Sequence, residues 1–297
     1  MHQEISEHGI LRQIHESYDH LSRSHKKIAD YILQNSEIVP TMSATQMAKS
    51  VSVSEATVVR FAVGFGFDGY PEFKRRLKDE ISSTMTTLDR IDMVMTVPGD
   101  STSGMFYDIL KSDIESMRET LNVFDEKVFD SAVDAIIRSR KVIVVGFHTS
   151  SVLTQHLGHY LRLLRDGVIE INGLNDLYEQ TIRADESDTV IALSFPRYSK
   201  ATYDVISVLK DKGASVISLT DSPYAPIVQF SDYALIAKSN VNSFVDSLTA
   251  PLSMIDALIV AVGSRNLERT KNTFNELEKM WQKNDVYAVE VTKNGKA

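Results

Sequence analysis

The first eighty positions repeat apolar residues at helical spacing and nowhere at strand spacing. After a polar start up to about Ile10, the recurrence of Leu11, Ile14, Tyr18 and Leu21 predicts a first helix. Ile28, Ala29, Ile32 and Leu33 form one face of a second, opened by Ser22 or Ser24 and closed by Asn35 and Pro40. A short third helix over 44–49 turns Met47 and Ala48 inward. A fourth, over 55–63, offers Val58, Val59 and Ala62 to a core and leaves Thr57 and Arg60 on the other side. The fifth begins at Pro71, a residue favoured in a first helical turn, with Phe73 and Leu77 inward and Lys74, Arg75 and Lys78 in water.

Between 82 and 103 Ser, Thr and Asp dominate, with Pro98-Gly99 near the end. This reads as an interdomain linker, helical in part over 88–95, whose Met and Ile residues alternatively meet a partner subunit. Beyond Gly104 two amphipathic helices (105–123 and 126–139) precede the continuous apolar run 142–145, the composition of a strand buried on both faces. Helix 150–164, strand 168–171, strand 189–194, helix 199–212 and strands 214–219 and 233–236 follow. Long helices over 245–265 and 267–284 close the pattern. Alternating strands and helices predict a doubly wound parallel five-stranded sheet. The expected organisation is an all-α domain (1–81), a linker (82–103) and an α/β domain (104–297).

Composition adds bounds. The 297 residues are 43% hydrophobic and 24% charged, the make-up of an ordinary globular protein long enough for two domains. Without cysteine there is no disulfide framework and no thiolate chemistry. The stretch MHQEISEHGI lacks a basic-then-apolar signal pattern, and no apolar run approaches a membrane span, so a cytoplasmic protein with no membrane partner is expected. The net charge of −8 would disfavour nucleic acid, yet the first ninety residues carry 11 Lys and Arg against 12 Asp and Glu. The excess therefore lies further on, and what DNA meets is the local field. Lys49, Arg60, Lys74, Arg75, Arg76 and Lys78 all cluster around the short third and fourth helices.

Those two helices carry the clearest motif. Ser43 and Gln46 make an S-x-x-Q capping box, Val51-Ser52-Val53 makes a turn, and Ser54 caps the next helix. Two short helices joined this way form a helix-turn-helix, whose second helix enters the major groove of DNA. On these residues alone an ordinary helical hairpin stays open. The order S-x-A-T-x-x-R-F over 54–61, then G-F-x-G-Y-x-E-F-K over 66–74, resembles the N-terminal domain of RpiR/MurR-type bacterial transcriptional regulators. The resemblance implies binding to double-stranded operator DNA, with Ser54, Thr57 and Arg60 at bases or backbone and Lys49, Lys74 and Arg75 on phosphates. One departure removes phosphate contacts: basic residues usually follow the R-F pair, and here Ala62, Val63 and Gly64 do.

In the α/β half, ligands are expected beyond the carboxyl ends of the strands, where helix N-termini present unpaired amides to anions. Two loops occupy that position, 146–151 and 194–200, and supply His148, Ser150, Ser151, Ser194, Arg197, Ser199 and Lys200 as candidates. For Ser150 and Ser199 plain N-capping is an equal and compatible role. Residues 129–236 are similar to a SIS (sugar isomerase) domain: Gly146-x-x-x-Ser150 matches its first loop, and Ser194 and Ser199 match the outer hydroxyls of its S-x-S-G-x-T loop. Ser218-Leu219-Thr220-Asp221-Ser222-Pro223 resembles its third strand-loop. His148 stands where that family has glycine, and Pro196-Arg197 where it has Ser-Gly, which restricts how closely amides approach a phosphate. Arg197 compensates, since guanidinium binds phosphate or carboxylate in bidentate fashion. The resemblance implies a small anionic metabolite, a sugar phosphate first and a carboxylate as competitor.

Asn175, Asp176, Tyr178 and Glu179 either bond ligand hydroxyls or form a solvated loop. His156 and His159 share a helix face near His148, but a metal needs further ligands, so no metal and no cofactor is expected. The reading is a ligand-responsive transcription factor, a homodimer or homotetramer, with no catalytic residue. The alternative is a sugar-phosphate isomerase with a fused helical domain, for which Glu179 and His148 are the only candidate bases. A dinucleotide-binding dehydrogenase is a weaker alternative still, because G-F-H-T-S-S lacks the G-x-G-x-x-G that a pyrophosphate needs.

Overall fold

The computed structural model describes residues 9–36, 38–95, 102–173, 177–240 and 243–288. The chain forms two compact units, Met1–Asp92 and Met93–Ala297.

The first unit is helical: α1 (Ile10–Ser17), α2 (Arg23–Gln34), α3 (Ala44–Ser50), α4 (Glu55–Gly64), α5 (Tyr70–Thr84) and α6 (Thr87–Met95), the last reaching the unit boundary. The predicted first helix ends early. Tyr18–His20 is a 3-10 turn, and the Tyr18 hydroxyl donates to Asp30 at 2.7 Å, which ties the turn to α2. Ser22 caps α2 by accepting from the His25 amide. Ile14, Ile28, Ile32, Met47, Val58, Phe61, Phe73 and Leu77 are fully buried and make one core. Phe61 packs edge-on to Phe73 (5.9 Å between centroids) and tilted against Phe65 (4.8 Å). Val59, expected in this core, is 37% exposed. With about 3.6 residues per turn, Val58, Phe61 and Ala62 share one stripe and Val59 lies a quarter-turn round, so the aromatic takes the core position.

The start of α1 has an unusual cap. Gly9 offers no side chain, and the buried Glu80 carboxylate of α5 accepts from the Ile10 amide at 2.5 Å and the Leu11 amide at 3.3 Å. A carboxylate there meets the unpaired amides and the positive end of the helix dipole.

The second unit contains α7 (Thr102–Val123), α8 (Glu126–Arg138), β1 (Val142–Val145), α9 (Ser150–Leu164), β2 (Val168–Ile171) and α10 (Leu177–Thr181). It continues with β3 (Thr189–Leu193), α11 (Lys200–Asp211), β4 (Ser215–Thr220), β5 (Tyr233–Ile236), α12 (Thr249–Arg265) and α13 (Leu267–Lys283). The strands pair in the order β2-β1-β3-β4-β5, all parallel, with Val142 opposite both Val168 and Thr189. Val142, Val144, Ile191, Leu193, Ile217 and Leu219 face α8, α9 and α12; Ile143, Val145, Val190, Ala192 and Val216 face α11. Helices on both faces make the sheet doubly wound and account for the unbroken apolar runs.

Two details differ from the periodicity. Residues 177–181 are a helical turn rather than loop, and α12 starts at Thr249, not near 245. The strand-to-helix segment ahead of α12 is pinned from α7. Asp113 accepts from the Ser247 hydroxyl at 2.6 Å and the Thr249 hydroxyl at 2.8 Å, while the Ser239 hydroxyl donates to the Ser247 carbonyl at 2.8 Å. These bonds compete with helical continuation through 245–248.

Glu80→Ala is expected to lower the stability of the first unit by about 2 kcal/mol, the cost of buried amides losing a charged acceptor. Urea denaturation followed by circular dichroism reads this, and an unchanged midpoint would show that α1 needs no such cap.

Candidate functional site

The capping box of α3 is formed as its spacing requires: the Gln46 amide donates to Ser43 Oγ at 3.2 Å and the Ser43 amide to Gln46 Oε1 at 2.7 Å. The turn after α3 places Ser52 at φ +53, and the Val53 amide returns to the Ala48 carbonyl at 3.0 Å. Ser54 then caps α4, accepting from the Thr57 amide at 3.2 Å, and its Oγ lies 2.8 Å from Thr57 Oγ1. An Arg60 guanidinium nitrogen donates to Thr57 Oγ1 at 3.2 Å. Ser54, Thr57 and Arg60 are thus joined along one edge of α4. Thr45 on α3 donates to Glu55 at 2.9 Å and fixes the angle between the two helices. Ala56, Val59, Arg60 and Val63 are exposed on α4, as is Lys49 at the end of α3; on α5, Arg75 is exposed and Lys74 half-buried. His25 sits edge-on to Phe61 at 5.5 Å, and burial, then the charge of Arg60, holds its pKa below the usual imidazole range.

The second site lies where the winding of the sheet reverses. β1 leads to α9 on one face and β3 leads to α11 on the other, so a crevice opens between the ends of two neighbouring strands. A cleft of about 290 Å³ occupies it. The loop after β1 contributes Phe147, His148, Thr149 and Ser150, and the loop after β3 contributes Ser194, Phe195, Pro196, Arg197 and Ser199. Gly146 permits the close approach of these parts, since a Cβ there would stand 2.5 Å from Thr154 Oγ1 and 3.2 Å from the Leu193 carbonyl. Thr149 is the N-cap residue of α9, so Ser150 is its first helical residue rather than its cap; Ser199 does cap α11, accepting from the Thr202 amide at 3.4 Å. Thr220 donates to the Ser194 carbonyl at 2.6 Å and Tyr198 to Asp221 at 3.0 Å, which brace the second loop on the end of β4.

Two features of this cleft bear on its chemistry. The Ser194 side chain is 2% exposed and its Oγ has no hydrogen-bond partner among the described residues. Buried hydroxyls are ordinarily paired, and leaving one unpaired costs about 1–3 kcal/mol. His148 and Arg197 both adopt left-handed backbone, at φ +54 and +66. Glycine takes that conformation freely, whereas other residues hold it under strain and most often at functional positions.

Five of the seven candidate residues, His148, Ser150, Ser194, Arg197 and Ser199, therefore line one cleft. Ser151 lies beside it, its amide on the His148 carbonyl at 3.0 Å. Lys200 points both possible contacts at Asp204, 2.8 Å from each oxygen, and that hydrogen bond raises its pKa. Glu179 is exposed on α10, while Asn175, Asp176 and the Tyr178 side chain lie outside the described residues. His156 bonds Asp256 at 2.7 Å, and among the described residues no three His, Asp or Glu side chains are grouped to hold a metal. No helix of the described residues is long and apolar enough to cross a membrane. Sequence reasoning missed Asp246 and Leu248, which reach the cleft from the segment ahead of α12. No motif marks them, because they stand roughly fifty and a hundred residues from the two loops they join.

Residues 8–84 match the family model of the helix-turn-helix domain of the rpiR family, and residues 135–261 match that of the SIS domain. A helix-turn-helix transcriptional regulator from Haemophilus influenzae is 31% identical over 230 residues, 77% of this chain and 79% of the relative. The regulator HexR from Pseudomonas aeruginosa is 26% identical over 263 residues, 86% of this chain and 90% of its own. Among solved structures, the sugar isomerase domain of an RpiR transcription factor from Sphaerobacter thermophilus superposes with a TM-score of 0.56 at 26% identity, covering 58% of this chain and 97% of that one. The Vibrio vulnificus NanR protein complexed with ManNAc-6P has a TM-score of 0.56 at 21% identity, covering 94% and 99%, and shows the same fold. With a capped recognition helix in one unit, a cleft at the switch point of a parallel sheet in the other, and regulators as relatives, the chain belongs to the rpiR family of helix-turn-helix transcriptional regulators with a SIS domain.

Proposed function

We propose that this regulator binds a sugar phosphate in the cleft between β1 and β3 and reads operator DNA with α4, acting in the cytoplasm as a homo-oligomer built from dimers. The observation that carries the ligand half is the buried, unpartnered Ser194 hydroxyl beside two helix N-termini. Helix N-termini and serine hydroxyls suit a phosphate, and Arg197 adds a bidentate cation. NanR, which shares the fold, is complexed with a phosphorylated sugar. His148, Ser150, Ser194, Arg197 and Ser199 would hold the anion, with Ser151 and Lys200 at the margin. The isomerase alternative keeps only one of its two candidate bases, His148, in the cleft: Glu179 is exposed outside its lining, and the relatives are transcriptional regulators.

For DNA, the exposed edge of α4 from Ser54 through Thr57 to Arg60 is proposed to enter the major groove, with Lys49, Lys74 and Arg75 on phosphates. Self-association is supported by α7, which buries Ser116 and Thr120 and exposes Phe106, Tyr107, Ile109, Leu110 and Ile114, the reverse of a solvated helix. A two-fold pair would present two recognition helices about one DNA turn apart. For switching, the ligand must bind one arrangement of that pair better than the other.

Arg60→Ala should weaken operator binding at least tenfold, in line with about 1–3 kcal/mol for a specific base contact. Lys49→Ala should weaken all sequences alike and lower the salt slope by about one. Gel shifts across a salt series distinguish the two, and wild-type affinity in Arg60→Ala would remove α4 from the groove. His148→Gly should stabilise the free protein by about 0.5–1 kcal/mol, through relief of left-handed strain, and His148→Gly and Arg197→Gly should each weaken sugar-phosphate binding. Thermal denaturation with and without ligand measures both; stabilisation without loss of binding would deny these side chains a role. Ile114→Glu should sediment as a monomer where the wild type does not, and an unchanged mass would place the subunit contact elsewhere.

A further inference from the structure

The cleft is chemically lopsided. Its first two segments supply donors: the hydroxyls of Ser150, Ser194 and Ser199 and the guanidinium of Arg197. The third supplies Leu248, an apolar wall, and Asp246, whose carboxylate accepts hydrogen bonds and repels anions. At about 290 Å³ the cleft is the size of one small metabolite, and Ser194 and Asp246 line the same cleft, so one occupant can meet both.

Asp246 is also held in place. The next residue, Ser247, is fixed through its hydroxyl to Asp113 at 2.6 Å and through its carbonyl to Ser239 at 2.8 Å, and Thr249 bonds Asp113 at 2.8 Å. A half-buried acidic residue on backbone pinned from α7 and from the start of its own connection has the support expected of a residue that discriminates between ligands.

Resting on the reading of the cleft as a sugar-phosphate site, we propose that Asp246 is a specificity residue: it demands a hydrogen-bond donor, a hydroxyl or an ammonium group, at the end of the ligand remote from the phosphate. A second anionic group at that end is rejected. The ligand is then a sugar or amino-sugar phosphate and not an aldonate phosphate or a dicarboxylate, which separates the two anion classes that the sequence leaves in competition. Asp113 is the positioning residue behind it.

The test uses the full chain and isothermal titration with three kinds of probe: inorganic phosphate, hexose and hexosamine 6-phosphates, and the corresponding aldonate 6-phosphates. Wild type should bind at least one hexose or hexosamine phosphate tenfold or more tighter than its aldonate counterpart. Asp246→Asn should compress that ratio below threefold, chiefly by tightening the aldonate, while Asp246→Glu, which keeps the charge, should preserve it. An unchanged ratio in Asp246→Asn would overturn the assignment. So would an equal gain for all three kinds of probe, which would make Asp246 a general repulsive charge rather than a reader of one end. If phosphate and the sugar phosphates bind neither wild type nor variant, the sugar-phosphate reading itself falls and this inference with it, a result distinct from binding without discrimination.

Discussion

Everything in the second unit follows from the parallel pairing of β1 with β3. Because β1 hands the chain to α9 on one face and β3 hands it to α11 on the other, no connection crosses the gap above these two strands. The gap is flanked by two helix starts, whose dipoles favour an anion. Gly146 lets the first loop lie against Thr154 and the end of β3, so the two loops converge on one small volume. A site for an anion is therefore a consequence of how the sheet is wound, and the side chains decide which anion.

Those side chains hold stored strain. His148 and Arg197, one in each loop, occupy backbone conformations that glycine would adopt freely. Ser194 adds an unpaired buried hydroxyl. Each lowers the stability of the unliganded protein a little. In the same way Asp246 enters from a segment clamped by Asp113 of α7, so the third wall depends on an interaction made over a hundred residues away in sequence.

The first unit solves a different problem: it must hold one short helix rigid while leaving half of it in water. Phe61, wedged against Phe65 and Phe73, anchors α4 from beneath, and the hydrogen-bonded run of Ser54, Thr57 and Arg60 orders the exposed edge before any DNA arrives. Such preorganisation reduces the entropy lost on binding. The valines Val59 and Val63 share the outward side, giving the helix apolar as well as cationic surface.

Much of this was legible in the residues themselves, because it depends on interactions only a few positions apart. The capping box at Ser43 and Gln46, the cap at Ser54, the apolar strands buried on both faces and the two serine-bearing loops are all local in origin. Periodicity resolves a helix face only coarsely, so Val59 read as core although Phe61 fills that stripe. What required the tertiary structure is whatever joins distant segments: Glu80 capping α1, Asp113 gripping the start of α12, and Asp246 brought to loops roughly fifty and a hundred residues earlier. Neighbours along the chain impose their geometry through backbone hydrogen bonds and side-chain spacing. Neighbours in space are chosen by how the whole chain packs, and no short stretch of residues contains that information.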